Sequence, residues 1–154
     1  MSSAHLAGTT SQPSWRAALR LARRSGWLGI GMGALAIGGL AAANHGPWTL
    51  AALIALVIAP DLTFLVGLGQ ARQMAPGQLP PAAVPWYNAA HRPWLPALLL
   101  AACAAISLSG AWWGPLTPLF AGGLGWLAHI AIDRAVGYGL RSPAGFQRHA
   151  HSHR

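Results

Sequence analysis

Four long apolar stretches with short polar connectors limit what this chain can fold into. They cover about residues 27–43, 48–68, 94–108 and 116–135. Each is close to the roughly 20 residues that a helix needs to cross a bilayer. Only 8% of the residues are charged, whereas a soluble domain carries roughly 25%, so too little charge remains to cover a water-facing surface. The sequence therefore predicts an all-α polytopic membrane protein, with four transmembrane helices in a bundle.

The connectors predict how the chain is divided. Residues 69–85 are rich in proline and glycine and predict a loop. The third helix is expected to begin before its apolar run, through residues 87–92. We predict a flexible basic arm over residues 1–25, a transmembrane domain over 26–141 and a basic, histidine-rich tail over 142–154. From Ser14 onward the arm is expected to form either a short basic amphipathic helix against anionic lipid or a solvated polar segment. Tryptophans near the run ends predict an aromatic belt at the membrane surfaces; they are Trp27, Trp48, Trp94, Trp112 and Trp113.

The basic residues predict the orientation. The chain has ten arginines, no lysine and two aspartates, for a formal net charge of +8. With four crossings, every arginine lies on the side of the two termini. Because positive loops stay in the cytoplasm, we expect a multi-pass inner-membrane protein with both termini cytoplasmic. A cleaved signal, formed by Arg23, Arg24 and the first run, is the alternative.

The composition also indicates the partners. The lipid bilayer is the main one, and the arginine-rich side is expected to contact anionic lipid headgroups. So apolar a chain lacks the polar face that a nucleic-acid-binding protein needs. The sequence neither requires nor excludes a homo-oligomer. The spacing of Gly29 and Gly33 permits close helix contact, although packing within the bundle explains the first run as well.

Ionisable residues inside the apolar runs mark the candidate site, because a charge at membrane depth is costly unless it is paired or hydrated. Asp61 and Asp133 are the only carboxylates in the chain. At about 1.5 Å per residue, both lie at depths similar to those of His91 and His129. His129 and Asp133 are four residues apart and share a helix face. We therefore predict one buried Asp/His cluster; Asn88, Arg92, Arg134 and Tyr138 are its supporting polar residues.

Three chemical interpretations of this cluster stay open. From the sequence alone we favour a structural one, in which Asp133 pairs with His129 or an arginine, and Asp61 pairs with His91 or Arg92. The second is a divalent metal site, since two imidazoles and two carboxylates supply four ligands and neutralise the ion. The third is a proton or ion pathway.

The metal interpretation extends to hydrolase-like chemistry only if a general base is available. A histidine, or Asp61 from outside a three-ligand shell, would have to take that role. Tyr138 could hydrogen-bond a leaving group, or simply anchor a helix end at the membrane surface. The tail histidines His149, His151 and His153 form a second, weaker metal-binding pattern. The sequence contains no phosphate-binding loop, serine nucleophile motif or His-Glu-x-x-His zinc motif.

Several short motifs around the same polar residues resemble a known family. They are Pro60-Asp61-Leu62-Thr63-Phe64-Leu65, Tyr87-Asn88 with His91, Trp126-Leu127-Ala128-His129-Ile130-Ala131-Ile132-Asp133-Arg134, Gly137-Tyr138-Gly139-Leu140-Arg141 and Gly145-Phe146. In this combination the chain resembles the small membrane proteins of the domain of unknown function 4260 family, over about residues 27–146. The resemblance implies a four-helix integral membrane protein and, as the family name says, no established activity.

Overall fold

The structure, a computed structural model, describes residues 14–109 and 114–148, which form helices joined by loops. Three helical segments are long and apolar enough to span a membrane, and α3 with α4 provides a fourth if the bent pair is one span. The predicted all-α polytopic bundle is therefore confirmed. The helices are α1 (Ser14–His45), α2 (Pro47–Ile58), which continues as a 3₁₀ segment (Ala59–Gln73), α3 (Val84–Ala90), α4 (Trp94–Leu108) and α5 (Thr117–Val136).

Helix α5 is the centre of the bundle, because its glycines let two neighbouring helices approach closely. A Cβ atom added at Gly125 would lie 2.5 Å from the backbone oxygen of Leu53 on α2. One added at Gly123 would lie 3.1 Å from Leu100 on α4. The α5 face that carries the candidate ligands is thus packed against the elements that supply the others.

Helix α1 packs along α5 through a stripe of small buried residues that includes Gly31 and Gly38. A Cβ added at Gly31 would lie 3.1 Å from Ile132, and one at Gly38 would lie 3.6 Å from Leu124. At the two glycines of the predicted Gly-x-x-x-Gly spacing, Gly29 and Gly33, an added Cβ atom would have no other helix within 4 Å. Packing in the bundle therefore uses a different face of α1.

The order of these contacts makes α1 and α5 antiparallel. Arg24, in the first half of α1, lies against Gly137 at the end of α5, whereas Gly38, later in α1, lies near Leu124, which is early in α5. The end of α1 and the start of α5 therefore lie at the same end of the bundle. Since α2 and its 3₁₀ segment lead away from that end, the bent pair α3–α4 makes the return passage.

The structure refines the basic segment and corrects the proline-rich one. Residues 14–25 are the first turns of α1, which agrees with the helical alternative for this segment, because arginine, leucine and alanine there are strong helix formers. Residues 69–85, predicted as a loop, are helical at both ends. The 3₁₀ segment continues to Gln73, and α3 begins at Val84 because Pro85 occupies the first turn, where its missing N–H costs nothing.

The predicted continuous helix through residues 87–92 is wrong as well. Helix α3 ends at Ala90, α4 begins at Trp94, and the two meet at an angle of 40°. Pro93 explains the break, since a proline lacks a backbone donor and disfavours helical geometry in the residue before it. His91 is therefore at the break and not inside a helix.

Some predictions concern residues outside the described ranges. They are Trp112 and Trp113 of the aromatic belt, and His149, His151 and His153 of the tail. Of the remaining belt tryptophans, Trp48 and Trp94 are exposed at the starts of α2 and α4.

Candidate metal centre

Four side chains from three parts of the bundle meet at one point. Asp61 comes from the 3₁₀ segment, His91 from the break between α3 and α4, and His129 and Asp133 from successive turns of α5. The predicted Asp/His cluster is therefore present. Each residue contributes one atom to the cluster: Nε2 of both histidines, Oδ1 of Asp61 and Oδ2 of Asp133.

The separations between these four atoms are similar to one another. His91 Nε2 lies 3.8 Å from the Asp61 oxygen and 3.5 Å from the Asp133 oxygen. His129 Nε2 lies 3.5 Å from the Asp61 oxygen and 3.7 Å from the Asp133 oxygen. The two Nε2 atoms are 3.3 Å apart. All four nitrogen–oxygen distances exceed the roughly 2.7–3.2 Å of an N–H···O hydrogen bond, whereas the two Nε2 atoms are within hydrogen-bond distance of each other. With Nδ1 of His91 protonated, its Nε2 is the acceptor of that contact and His129 Nε2 is the donor.

The exposure of the cluster is uneven. The side chain of His91 is 3% exposed, whereas that of Asp61 is 52% exposed. His129 and Asp133 lie between these values. The cluster thus has a buried histidine side and an open side at Asp61.

A backbone contact fixes which nitrogen of His91 faces the cluster. Its Nδ1 lies 2.8 Å from the carbonyl oxygen of Tyr87, and a carbonyl can only accept, so Nδ1 carries the proton. In the neutral ring, Nε2 then holds the lone pair. The Tyr87 ring stacks on the His91 ring at 3.8 Å between centroids, which fixes the ring plane. Metal-binding histidines are held in this way by a hydrogen bond from the other ring nitrogen.

Two side chains of α5 hold the break that carries His91. The indole Nε1 of Trp126 donates to the carbonyl of Ala90 at 2.7 Å, and Arg134 Nη2 donates to the carbonyl of His91 at 3.2 Å. These carbonyls lack helical partners because Pro93 interrupts the helix, and an unpaired buried carbonyl is costly. Helix α5 therefore supplies two candidate ligands and also positions a third.

The segment after α5 folds back onto α3. Asn88 Nδ2 donates to the carbonyl of Arg141 at 2.9 Å, and the Arg141 backbone N–H donates to Asn88 Oδ1 at 2.7 Å. Gly145 has a φ of +87° and lies so close to the Leu79 backbone that a Cβ atom would overlap it. These contacts join the family motifs near residues 88, 137–141 and 145 into one packed unit beside the cluster.

A family model for a domain of unknown function, DUF4260, matches residues 26–153, which is most of the chain. The chain belongs to the DUF4260 family. No curated protein and no solved structure matches it. The motifs that this DUF4260 chain carries around Asp61, His91 and His129 are thus the ones that build the cluster.

The supporting residues predicted from the sequence occupy different places in this DUF4260 protein. Asn88 holds the C-terminal segment, and Arg134 binds the backbone of His91, so neither contributes a ligand. Arg92 is exposed and does not pair with Asp61. Asp61 lies beside His91 and His129. Tyr138 is half exposed, and its carbonyl accepts a 3.5 Å hydrogen bond from Arg134. Among the described residues, neither carboxylate forms an ion pair with an arginine; all four recorded pairs use histidine.

Three residues of the site escaped the sequence analysis: Tyr87 as a stacking ring, Trp126 as a donor and Arg141 as the partner of Asn88. Pro93 could have indicated the need for a donor such as Trp126, because a proline after a helical run leaves backbone carbonyls without their helical N–H partners. Residue types alone give no such signal for Tyr87 or Arg141.

Proposed function

We propose that this protein is a membrane-embedded metalloprotein whose Asp/His cluster binds one divalent ion with zinc-like, tetrahedral geometry. The observation that carries the proposal is the set of five ligand separations of 3.3–3.8 Å. Zinc–nitrogen and zinc–oxygen bonds of about 2.0–2.1 Å in a regular tetrahedron give ligand separations of about 3.3–3.4 Å. The five separations are therefore close to those of a zinc site, and Asp61, His91 and His129 form the set whose ligand atoms all lie within 4.8 Å of one another.

The hydrogen bonding of His91 supports a metal over a structural cluster without one. With the Nδ1 proton donated to Tyr87, a neutral His91 has no proton on Nε2 to donate to a carboxylate. Nε2 can, however, coordinate a cation. A structural cluster would also be expected to bring the carboxylates within hydrogen-bond distance of their partners, and the separations are longer than that.

Charge balance favours a divalent ion. Two carboxylates neutralise a 2+ ion, while two neutral imidazoles add no charge, so the loaded site carries no net charge in a low-dielectric setting. Asp61, His91 and His129 alone already bring three ligand atoms within 4.8 Å of one another. Asp133 provides the fourth.

The open side at Asp61 supports hydrolytic chemistry at the ion. Catalytic zinc sites keep three protein ligands and leave one position for water. Asp61 is the most exposed of the four ligands. If an ion held by the other three residues also bound a water, the Asp61 carboxylate would be the group placed to accept a proton from that water as general base. We therefore assign His91, His129 and Asp133 as permanent ligands and Asp61 as the exchangeable one.

The test is the metal content of the purified, full-length protein, measured by elemental analysis after growth with added zinc, manganese and iron. The three tail histidines are replaced by glutamine so that they do not contribute. We expect close to one zinc per chain, and affinity that falls as pH drops through the range in which histidines become protonated, because a protonated imidazole cannot ligate.

Matched variants make this result specific. His91→Ala and His129→Ala should each lower the zinc content to a small fraction of the parent value. His45→Ala, at an exposed histidine in the last turn of α1, should leave it unchanged. A metal-free parent protein with full thermal stability would contradict the proposal and return the cluster to the ion-pair and proton-pathway interpretations, which proton flux in liposomes separates.

A further inference from the structure

Among the described residues, Arg141 forms no direct ion pair with a carboxylate. The chain has two acidic residues, and both belong to the Asp/His cluster. The Arg141 guanidinium lies over the Tyr87 ring at 5.4 Å and donates from Nη1 to the Gly77 carbonyl at 2.9 Å. Its buried Nε has no hydrogen-bond partner among the described residues. A guanidinium presents five donors, and the Nε donor of Arg141 is the one that is buried without a partner within the described ranges.

The same guanidinium lines a cavity of about 270 Å³ between the 3₁₀ segment and residues 77–80. Arg141 is the one charged residue in its lining, and the walls are mainly apolar, including Phe64, Leu68, Leu79 and Pro80. A cavity of this size accommodates a headgroup and the first carbons of a chain, and is smaller than a drug-sized site.

The apolar wall is continuous with the membrane-facing surface. Phe64 and Leu68 belong to the span Pro47–Gln73 and are 38% and 65% exposed. The cavity therefore joins one cation to a surface that lipid chains cover. That combination suits an amphiphile with one anionic group, since an arginine binds a phosphate or carboxylate through charge-assisted hydrogen bonds.

We infer that this cavity binds the anionic headgroup of a membrane amphiphile, with Arg141 as its anchor and with Phe64 and Leu68 contacting its chain. The inference is independent of the proposed metal site, because none of the four candidate ligands lines the cavity. Either proposal can fail without the other.

The test titrates full-length protein in nonionic detergent with phosphatidylglycerol, phosphatidylcholine or inorganic phosphate, and counts bound molecules by native mass spectrometry. We expect one phosphatidylglycerol per chain, bound about tenfold more tightly than phosphatidylcholine. Both lipids carry a phosphodiester, but the choline cation of phosphatidylcholine cancels its net charge and is repelled by Arg141. Inorganic phosphate at equal concentration should compete poorly because it makes no chain contacts. Phosphate that binds as tightly as the lipid would overturn the amphiphile assignment.

Three variants test the assignment of residues. Arg141→Gln should weaken phosphatidylglycerol binding about tenfold or more. Ala71→Trp should weaken it comparably by filling the cavity while leaving every charge in place, and it decides the question if Arg141→Gln does not fold. Arg72→Gln is the matched control, because it removes the same charge from an exposed position outside the cavity lining. Equal loss in the control, or unchanged binding in both cavity variants, would overturn the inference.

Discussion

At the scale of single residues, His91 shows how the backbone prepares a side chain for chemistry. The Tyr87 carbonyl fixes the proton of His91 on Nδ1, and the Tyr87 ring fixes the plane of the imidazole. Arg134 donates a hydrogen bond to the backbone carbonyl of His91. Of these groups, the His91 carbonyl is the one that the break after Ala90 leaves without a helical donor. A ligand held this firmly loses little conformational freedom when it binds an ion.

The four cluster residues should act as one unit. Replacing Asp61 with asparagine or His129 with alanine removes one side of a contact at 3.5 Å and leaves the other group without a partner. In a double-mutant cycle we expect the two losses of thermal stability to be non-additive, with a coupling of about 0.5–3 kcal/mol. Additive losses, measured by unfolding in detergent, would indicate two independent sites.

Asn88 should matter for stability and not for ligation. Asn88→Leu leaves the Arg141 carbonyl and N–H without their partners, so we expect a loss of about 1–3 kcal/mol. Asn44→Leu, at an exposed asparagine that bonds only the preceding turn, is the matched control and should change stability little. Metal content of the folded Asn88→Leu protein should equal that of the parent; a clear loss of metal would place Asn88 in the centre itself.

At the scale of elements, packing on α5 sets the distance between the candidate ligands. His129 follows Gly125 by one turn, and Gly125 is where α2 comes nearest to α5. The 3₁₀ segment that carries Asp61 continues directly from α2. The separation of α2 and α5 therefore controls the distance between Asp61 and His129.

Gly125→Ala should disturb this distance. Its methyl group would meet the Leu53 carbonyl at 2.5 Å, and forcing extra atoms into a packed contact costs about 1–3 kcal/mol. Gly33→Ala adds the same atom where nothing lies within 4 Å, so it should be neutral or gain up to about 1 kcal/mol of helix propensity. Thermal unfolding of the two variants gives the comparison, and equal midpoints would mean that the α2–α5 contact is not tight.

The elements differ in how far the sequence predicts them. Hydropathy predicts the apolar spans because burial in lipid leaves a continuous signal over about 20 residues. It does not predict that residues 59–73 adopt 3₁₀ geometry, or that the basic helix from Ser14 continues without a break into the first apolar run, since neither changes the apolar pattern. The cluster residues were identifiable because acids are so rare in this chain. The contacts that hold His91 in place depend on the break at residues 91–93, and Pro93 is the one residue in the sequence that indicates this break.

At the scale of the whole molecule, the antiparallel contact of α1 and α5 brings the two most basic regions together. Arg24 lies against Gly137, where the carbonyl end of α5 carries a partial negative charge that favours a cation. The start of α1 and the end of α5 therefore share one end of the bundle, along with residues 74–83 between the 3₁₀ segment and α3.

This arrangement predicts the topology of the chain in its membrane. Reporter fusions at Arg154 and at Gly46 should report opposite compartments, with the Arg154 fusion in the cytoplasm because arginine-rich segments stay there. A third fusion at Ser109 should agree with Gly46 if α3 and α4 cross as one bent span. Agreement between the Arg154 and Gly46 fusions would contradict the count of four passages.

The position of α5 at the end of the chain also sets an order of events during synthesis. Asp61 leaves the ribosome 72 residues before Asp133, which at roughly 5–20 residues per second corresponds to about 4–14 seconds. Through that interval the nascent chain contains a carboxylate at membrane depth whose two α5 neighbours have not been made. A stalled or truncated chain stays in that condition, so Asp61 then bears the cost of a carboxylate at membrane depth without the two α5 groups that surround it in the folded protein.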